Sequence, residues 1–129
     1  GYSLSNKNKT ICIDGDGSLL MHLGSIKTAG TFANKNFKYI LLNNNVHDSV
    51  GGQSTHANDI DFEKLSKSLG FKKFYSIKNK KNVKQSIKKF LYGNFSANPT
   101  LYSPIPQPNS STKGLLFLKK SFFQFPFNG

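Results

Sequence analysis

Two short groups of residues have the types and spacing to do chemistry: Gly15-Asp16-Gly17-Ser18 and Asn43-Asn44-Asn45. Asp16 offers a carboxylate and Asn44 a neutral amide oxygen. Mg2+ takes hard oxygen donors of this kind in octahedral geometry and shares its other positions with phosphate and water. Gly15 and Gly17 let the backbone come close to an anion, and Ser18 adds a hydroxyl donor. The start of a following helix would turn free N–H groups toward the same anion. Neither group is specific alone, because Asp-Gly pairs mark many turns and Asn is frequent throughout this chain. Together they carry weight. Residues 18 to 42, 25 in all, separate Gly15-Asp16-Gly17 from Asn43, and each group stands at the end of an apolar run.

Those runs are the elements that must do the positioning. Thr10 to Asp14 (TICID) is a short β-branched run bounded by glycine, the pattern of a buried parallel strand. From Ser18 the period changes to that of a helix, with Leu19, Leu23, Ile26 and Gly30 on one face and Leu20 alongside. Phe37 to Leu42 (FKYILL) reads as a second strand. A strand, helix and strand with this crossover length predict a right-handed parallel pair. Both chemical groups then fall at the carboxyl ends of adjacent strands, where open α/β sheets bind ligands. Further on, Asp61 is placed to cap a helix that carries Phe62, Leu65 and Leu69 inward and closes at Gly70. Lys73 to Ile77 predicts a third strand, about Asn82 to Tyr92 a Lys-rich helix, and Thr100 to Tyr102 a short fourth strand. The fold class is therefore α/β, a three-layer parallel sheet with flanking helices. Residues 1–102 read as the domain, and 103–129, with their prolines and aperiodic phenylalanines, as an irregular tail.

Composition narrows the function classes. The chain has 129 residues, enough for one domain with a core of its own, and a net charge of +12. All 18 basic residues are lysine. A nucleic-acid reader would use arginine for bidentate contacts to bases and phosphates, so lysine spread over helices and loops reads as solvated faces. A single Cys12 inside a predicted strand forms neither an internal disulfide nor a zinc site, which points to a small buried thiol in a reducing cytoplasm. No apolar run approaches a membrane span, and the first ten residues are polar, unlike a secretory leader. His22 reads as a packing or hydrogen-bonded residue, His56 as a solvent-facing loop residue, and Asp14 as a structural carboxylate at a strand end.

The arrangement GDG, then two dozen residues, then NN resembles the cofactor motif of thiamine-diphosphate enzymes. The likeness extends further. GDGSLLMHLGSIKTAG followed by ILLNNNVHDSVGGQST is similar to the phosphonopyruvate decarboxylases, which carry NN-x-x-H-[ED]-[ST]-V-G-G-x-x-T at this place. The resemblance covers roughly residues 10 to 102 and implies a diphosphate-binding domain. The part that normally precedes the first strand is cut here to a few residues. It implies Mg2+ held by the side chains of Asp16 and Asn44 and the carbonyl of Val46. Thiamine diphosphate would be held by this group together with Gly15, Gly17 and Ser18. It implies decarboxylation of 3-phosphonopyruvate, with His47 in the loop over the cofactor as a catalytic candidate that contacts substrate or relays a proton. The β subunit of sulfopyruvate decarboxylase is the nearest alternative, and a truncated chain that only binds a partner is a second. In this family a glutamate from a separate pyrimidine-binding domain activates the cofactor. The sole glutamate here, Glu63, lies on a helix far in sequence from the motif. The expectation is a partial chain, inactive alone, that works in a homo- or hetero-oligomer with a pyrimidine-binding domain or subunit.

Overall fold

The computed structural model describes residues 1–5, 7–77, 80–92 and 114–119. Four strands form one parallel sheet: β1 (Thr10–Gly15), β2 (Phe37–Asn43), β3 (Lys73–Ile77) and β4 (Gly114–Lys119), in the spatial order β1-β2-β4-β3. In the register of β1 on β2, Thr10 lies opposite Phe37 and Gly15 opposite Leu42. The two strands therefore end side by side, with Asp16 leaving one and Asn44 leaving the other.

Side chains alternate across β2 and build a core on each face of the sheet. Tyr39 and Leu41, both fully buried, pack on one face with Leu19, Ile26, Phe62, Leu69, Phe71 and Phe74. Ile40 points the other way and packs with Tyr75, Ile77 and Phe90. The first face is covered by α2 (Asp16–Met21), α3 (Leu23–Phe32) and α4 (Phe62–Leu69), the second by α5 (Val83–Tyr92). Helix, sheet and helix make the three layers expected from the sequence. A four-residue α1 (Tyr2–Ser5) precedes β1.

Local signals placed several elements correctly. Asp61 caps α4 by accepting the Lys64 N–H at 3.0 Å, and Gly70 closes that helix in the left-handed region at φ 98°. β3 spans the residues read for it. Two other readings are corrected. The helix after Gly17 is not continuous: His22, at φ −119° and ψ 33°, separates α2 from α3, and its N–H still bonds the Ser18 carbonyl at 3.0 Å. The second correction concerns the tail. Gly114–Lys119, read as irregular, forms β4 and pairs in parallel with β2 on one side and β3 on the other. A strand between two neighbours in a sheet covered on both faces is apolar throughout, so GLLFLK shows no alternation to read. Phe117 accordingly meets Phe62 at 5.0 Å between ring centroids. The fourth strand expected at Thr100 to Tyr102 lies outside the described residues.

Candidate functional site

Asp16 opens α2 directly beyond β1, and its side chain is buried, at 1% exposure. One carboxylate oxygen, Oδ1, accepts the Asn44 N–H at 3.3 Å from the end of β2, and Oδ2 accepts the Thr55 hydroxyl. No lysine or histidine forms an ion pair with it among the described residues. A buried carboxylate with neutral donors only is electrostatically incomplete, since taking the charge out of water costs far more than two hydrogen bonds return.

The segment after β2 folds back on itself. Val46 forms an isolated antiparallel bridge with Ser54, flanked by His47 N–H to the Gln53 carbonyl at 2.8 Å and Thr55 N–H to the Asn45 carbonyl at 3.0 Å. The tip is a turn of 3-10 helix, Asp48–Val50, followed by Gly51 and Gly52 at φ 114° and 77°. That left-handed pair needs glycine, and it reverses the chain. Asn44 Nδ2 pins the tip by donating to Asp48 Oδ2 at 2.8 Å. Ala57, 1% exposed in the core, anchors the returning limb. Thr55 thereby reaches Asp16 across 39 positions of sequence.

Val46 carries the second observation. In this ladder its carbonyl faces away from the partner limb, and among the described residues it accepts no hydrogen bond. Its N–H meets the Asn44 side-chain oxygen at 3.4 Å. Asn45, in the left-handed region at φ 62°, buries its Oδ1 without a partner among the described residues. Asn43 shapes this corner by accepting the Asn45 N–H at 2.9 Å. One carboxylate, one amide oxygen and one open carbonyl thus gather at two neighbouring strand ends. The donor set is all oxygen and incomplete for an octahedral ion, the composition that suits Mg2+ completed by phosphate. No group of three or more His, Cys, Asp or Glu residues gathers as a metal site among the described residues. The residues fit Mg2+ and a diphosphate.

Gly17 stands where α2 begins, and a Cβ there would fall 2.6 Å from His47 Cε1 and 3.3 Å from Thr55 Cγ2. The His47 ring therefore lies against the helix start, beside the residues expected to hold phosphate. Gly15 has open space around it, and its N–H bonds Asp14 Oδ1 at 2.9 Å. The Ser18 hydroxyl makes no hydrogen bond among the described residues, which leaves it available as a donor. Asp14 is turned to structure: its Oδ2 accepts the buried Tyr39 hydroxyl at 2.6 Å. Burial, then that hydrogen bond and the charge on Asp14, push the Tyr39 phenol well above its usual range. Cys12 is half-buried against the core, and burial followed by the Asp14 charge pushes its thiol up. His22 and His56 are exposed; His22 Nδ1 lies 3.1 Å from the Ser18 carbonyl, and His56 Nδ1 lies 3.9 Å from Asp59.

The structure brings Asp16, Gly17, Asn44, Val46 and His47 together. Sequence reasoning gave Thr55 no role, although it closes the motif segment quoted for this loop. A hydroxyl residue at a fixed place after a Gly-Gly turn was the signal.

Residues 1–101 match the family described as thiamine pyrophosphate enzyme, C-terminal TPP binding domain. The chain belongs to that family. Phosphonopyruvate decarboxylase of Streptomyces viridochromogenes is 39% identical over 72 residues, 56% of this chain and 18% of that protein. Sulfopyruvate decarboxylase subunit beta of Methanococcus maripaludis is 35% identical over 88 residues, 68% of this chain and 47% of that subunit. The corresponding subunit of Methanocaldococcus jannaschii is 39% identical over 71 residues, 54% of this chain and 38% of that subunit. The chain thus spans less than half the length of the curated relatives it matches. Membership of this domain family supports thiamine diphosphate as the ligand. No helix among the described residues is long and apolar enough to cross a membrane.

Proposed function

We propose that this chain supplies the Mg2+- and diphosphate-binding half of a thiamine-diphosphate-dependent 2-oxo acid decarboxylase. The observation that carries the reading is the buried Asp16 carboxylate, without a cationic partner among the described residues, beside Asn44 and the open Val46 carbonyl. Asp16 and Asn44 hold Mg2+ through side-chain oxygens and Val46 through its carbonyl. Gly15 admits the diphosphate, Gly17 offers its backbone N–H while the His47 ring takes its side-chain space, and Ser18 donates to the anion. His47, packed on Gly17, stands at the diphosphate end of the site, where it orients the anion or passes a proton. When bound, thiamine diphosphate supplies the electron sink for loss of CO2 from a 2-oxo acid.

The substrate is a three-carbon 2-oxo acid with a second anionic group. Phosphonopyruvate, giving phosphonoacetaldehyde and CO2, is the first reading, from the VHDSVGGQST segment and the similarity to phosphonopyruvate decarboxylases. A second is sulfopyruvate, favoured by the larger shares of this chain and of the relative matched in a beta subunit. Turnover requires a pyrimidine-binding domain or subunit in a cytoplasmic oligomer. Calorimetry with thiamine diphosphate and Mg2+ tests the site: the full chain binds, and Asp16→Asn weakens binding at least about 100-fold, as expected when a charged ligand becomes neutral. Equal heats from both proteins would sink the proposal.

A further inference from the structure

A carboxylate that binds a metal must be aimed, and Thr55 stands where it can aim that of Asp16. Thr55 is 8% exposed, and its hydroxyl has one proton to give. An ionised Asp16 only accepts, and the Ala57 N–H approaches Thr55 Oγ1 at 3.4 Å as a donor, so the hydroxyl proton has a single destination at Asp16 Oδ2. Oδ1 is meanwhile engaged by the Asn44 N–H. Two donors from two different segments, one on each oxygen, leave the carboxylate no freedom to rotate about its terminal bond. Thr55 is itself held: its N–H bonds the Asn45 carbonyl at 3.0 Å, and β-branching restricts its side-chain torsion.

We propose that Thr55 is a positioning residue, its hydroxyl fixing the Asp16 carboxylate so that a free lone pair is presented to a divalent cation. This rests on the reading of Asp16 as a Mg2+ ligand. Partners of metal ligands of this kind change metal affinity by about 10- to 100-fold when removed. Val keeps the shape of Thr without the proton, and Ser keeps the proton without the methyl group.

The test uses Mn2+, visible by electron paramagnetic resonance, titrated into the full chain with thiamine diphosphate present. Circular dichroism melting is recorded for each variant. Thr55→Val weakens Mn2+ binding about tenfold and lowers the melting temperature by about 5–10 °C while still melting cooperatively, Thr55→Ser stays within about twofold of wild type, and Asp16→Asn loses at least about 100-fold. If Thr55→Val does not fold, Thr55→Ala replaces it, with the same loss expected. Unchanged Mn2+ affinity in the hydroxyl-less variants, beside a strong Asp16→Asn defect, overturns the role of Thr55 and leaves the metal site standing. A Thr55→Ser loss as large as that of Thr55→Val also overturns it, since packing of the methyl would then be the cause. Wild type and Asp16→Asn binding alike overturns both.

Discussion

Two regions of this molecule are built on a glycine that something else presses against, and they differ in what presses. At the carboxyl ends of the strands, Gly17 faces the His47 imidazole and the Thr55 methyl. At the crossing of α3 and α4, Gly30 faces the carbonyl of Leu69, with that carbonyl carbon 2.9 Å from where a Cβ would be. Gly70 returns the contact: a Cβ there would sit 2.7 Å from the Gly30 carbonyl oxygen. A side chain on a loop can swing aside, whereas the backbone carbonyls of Gly30 in α3 and Leu69 at the closing turn of α4 cannot. The first glycine therefore serves the site and the second serves the fold. In the sequence Gly17 stands in the anion-binding group and Gly30 on an inward helix face, but what presses on each is not readable.

This contrast can be broken by substitution. Gly30→Ala has the largest expected effect on stability. The gain in helix propensity, about 1 kcal/mol, is outweighed by overpacking against immovable backbone, for a net loss of about 2–3 kcal/mol in denaturant unfolding. An unchanged midpoint would show that the helices can slide apart, and the distinction would fail.

Tyr39 joins the two regions. Its ring packs on Phe71, 6.0 Å between centroids, beside the glycine crossing, while its hydroxyl bonds Asp14 at the head of the site. Tyr39→Phe keeps the ring and removes a hydrogen bond to a carboxylate, at a cost of about 1.5–2 kcal/mol. The phenol has a folded pKa raised above its unfolded value of 10.0. For an acid this means the folded state disfavours the ionised form, so the contribution is complete below pH 10.0 and is lost as pH rises beyond it. Wild type should lose stability above that pH more steeply than Tyr39→Phe, measured by urea unfolding across the alkaline range. Parallel curves would remove Tyr39 from the account.

Gly17→Ala is the mildest of the three on stability and the most selective. Helix propensity offsets a contact that the imidazole can relieve, so melting should stay near wild type, while the displaced ring and loop weaken thiamine diphosphate binding about tenfold. Loss of folding with binding retained per folded molecule would reverse the assignment of the two glycines.

Much of this arrangement was legible because the signals are local. The limits of β1, the Asp61 cap and Gly70 closure of α4, and the limits of β3 follow from apolar patterning and terminal chemistry within a few residues, but β1, read as buried, exposes Ile11 and Ile13 on one face. The helix break at His22 was not, because Leu19, Leu23 and Ile26 keep one helical period across it. β4 was illegible for a related reason: a strand in a parallel sheet covered on both faces carries no alternation, and its neighbours lie far away in sequence.

The sequence by itself determined that an Asp and an Asn would stand at the ends of two strands, because strand periodicity and a βαβ crossover leave few other outcomes. That was sufficient to propose a metal and a diphosphate. Only the tertiary structure decided that Thr55 returns to Asp16, that Val46 keeps its carbonyl open, and that His47 rests on Gly17. Each depends on a loop reversing at Gly51 and Gly52 and being anchored at Ala57 in the core. A reversal of that kind is set by packing between distant segments, which residue order alone does not express.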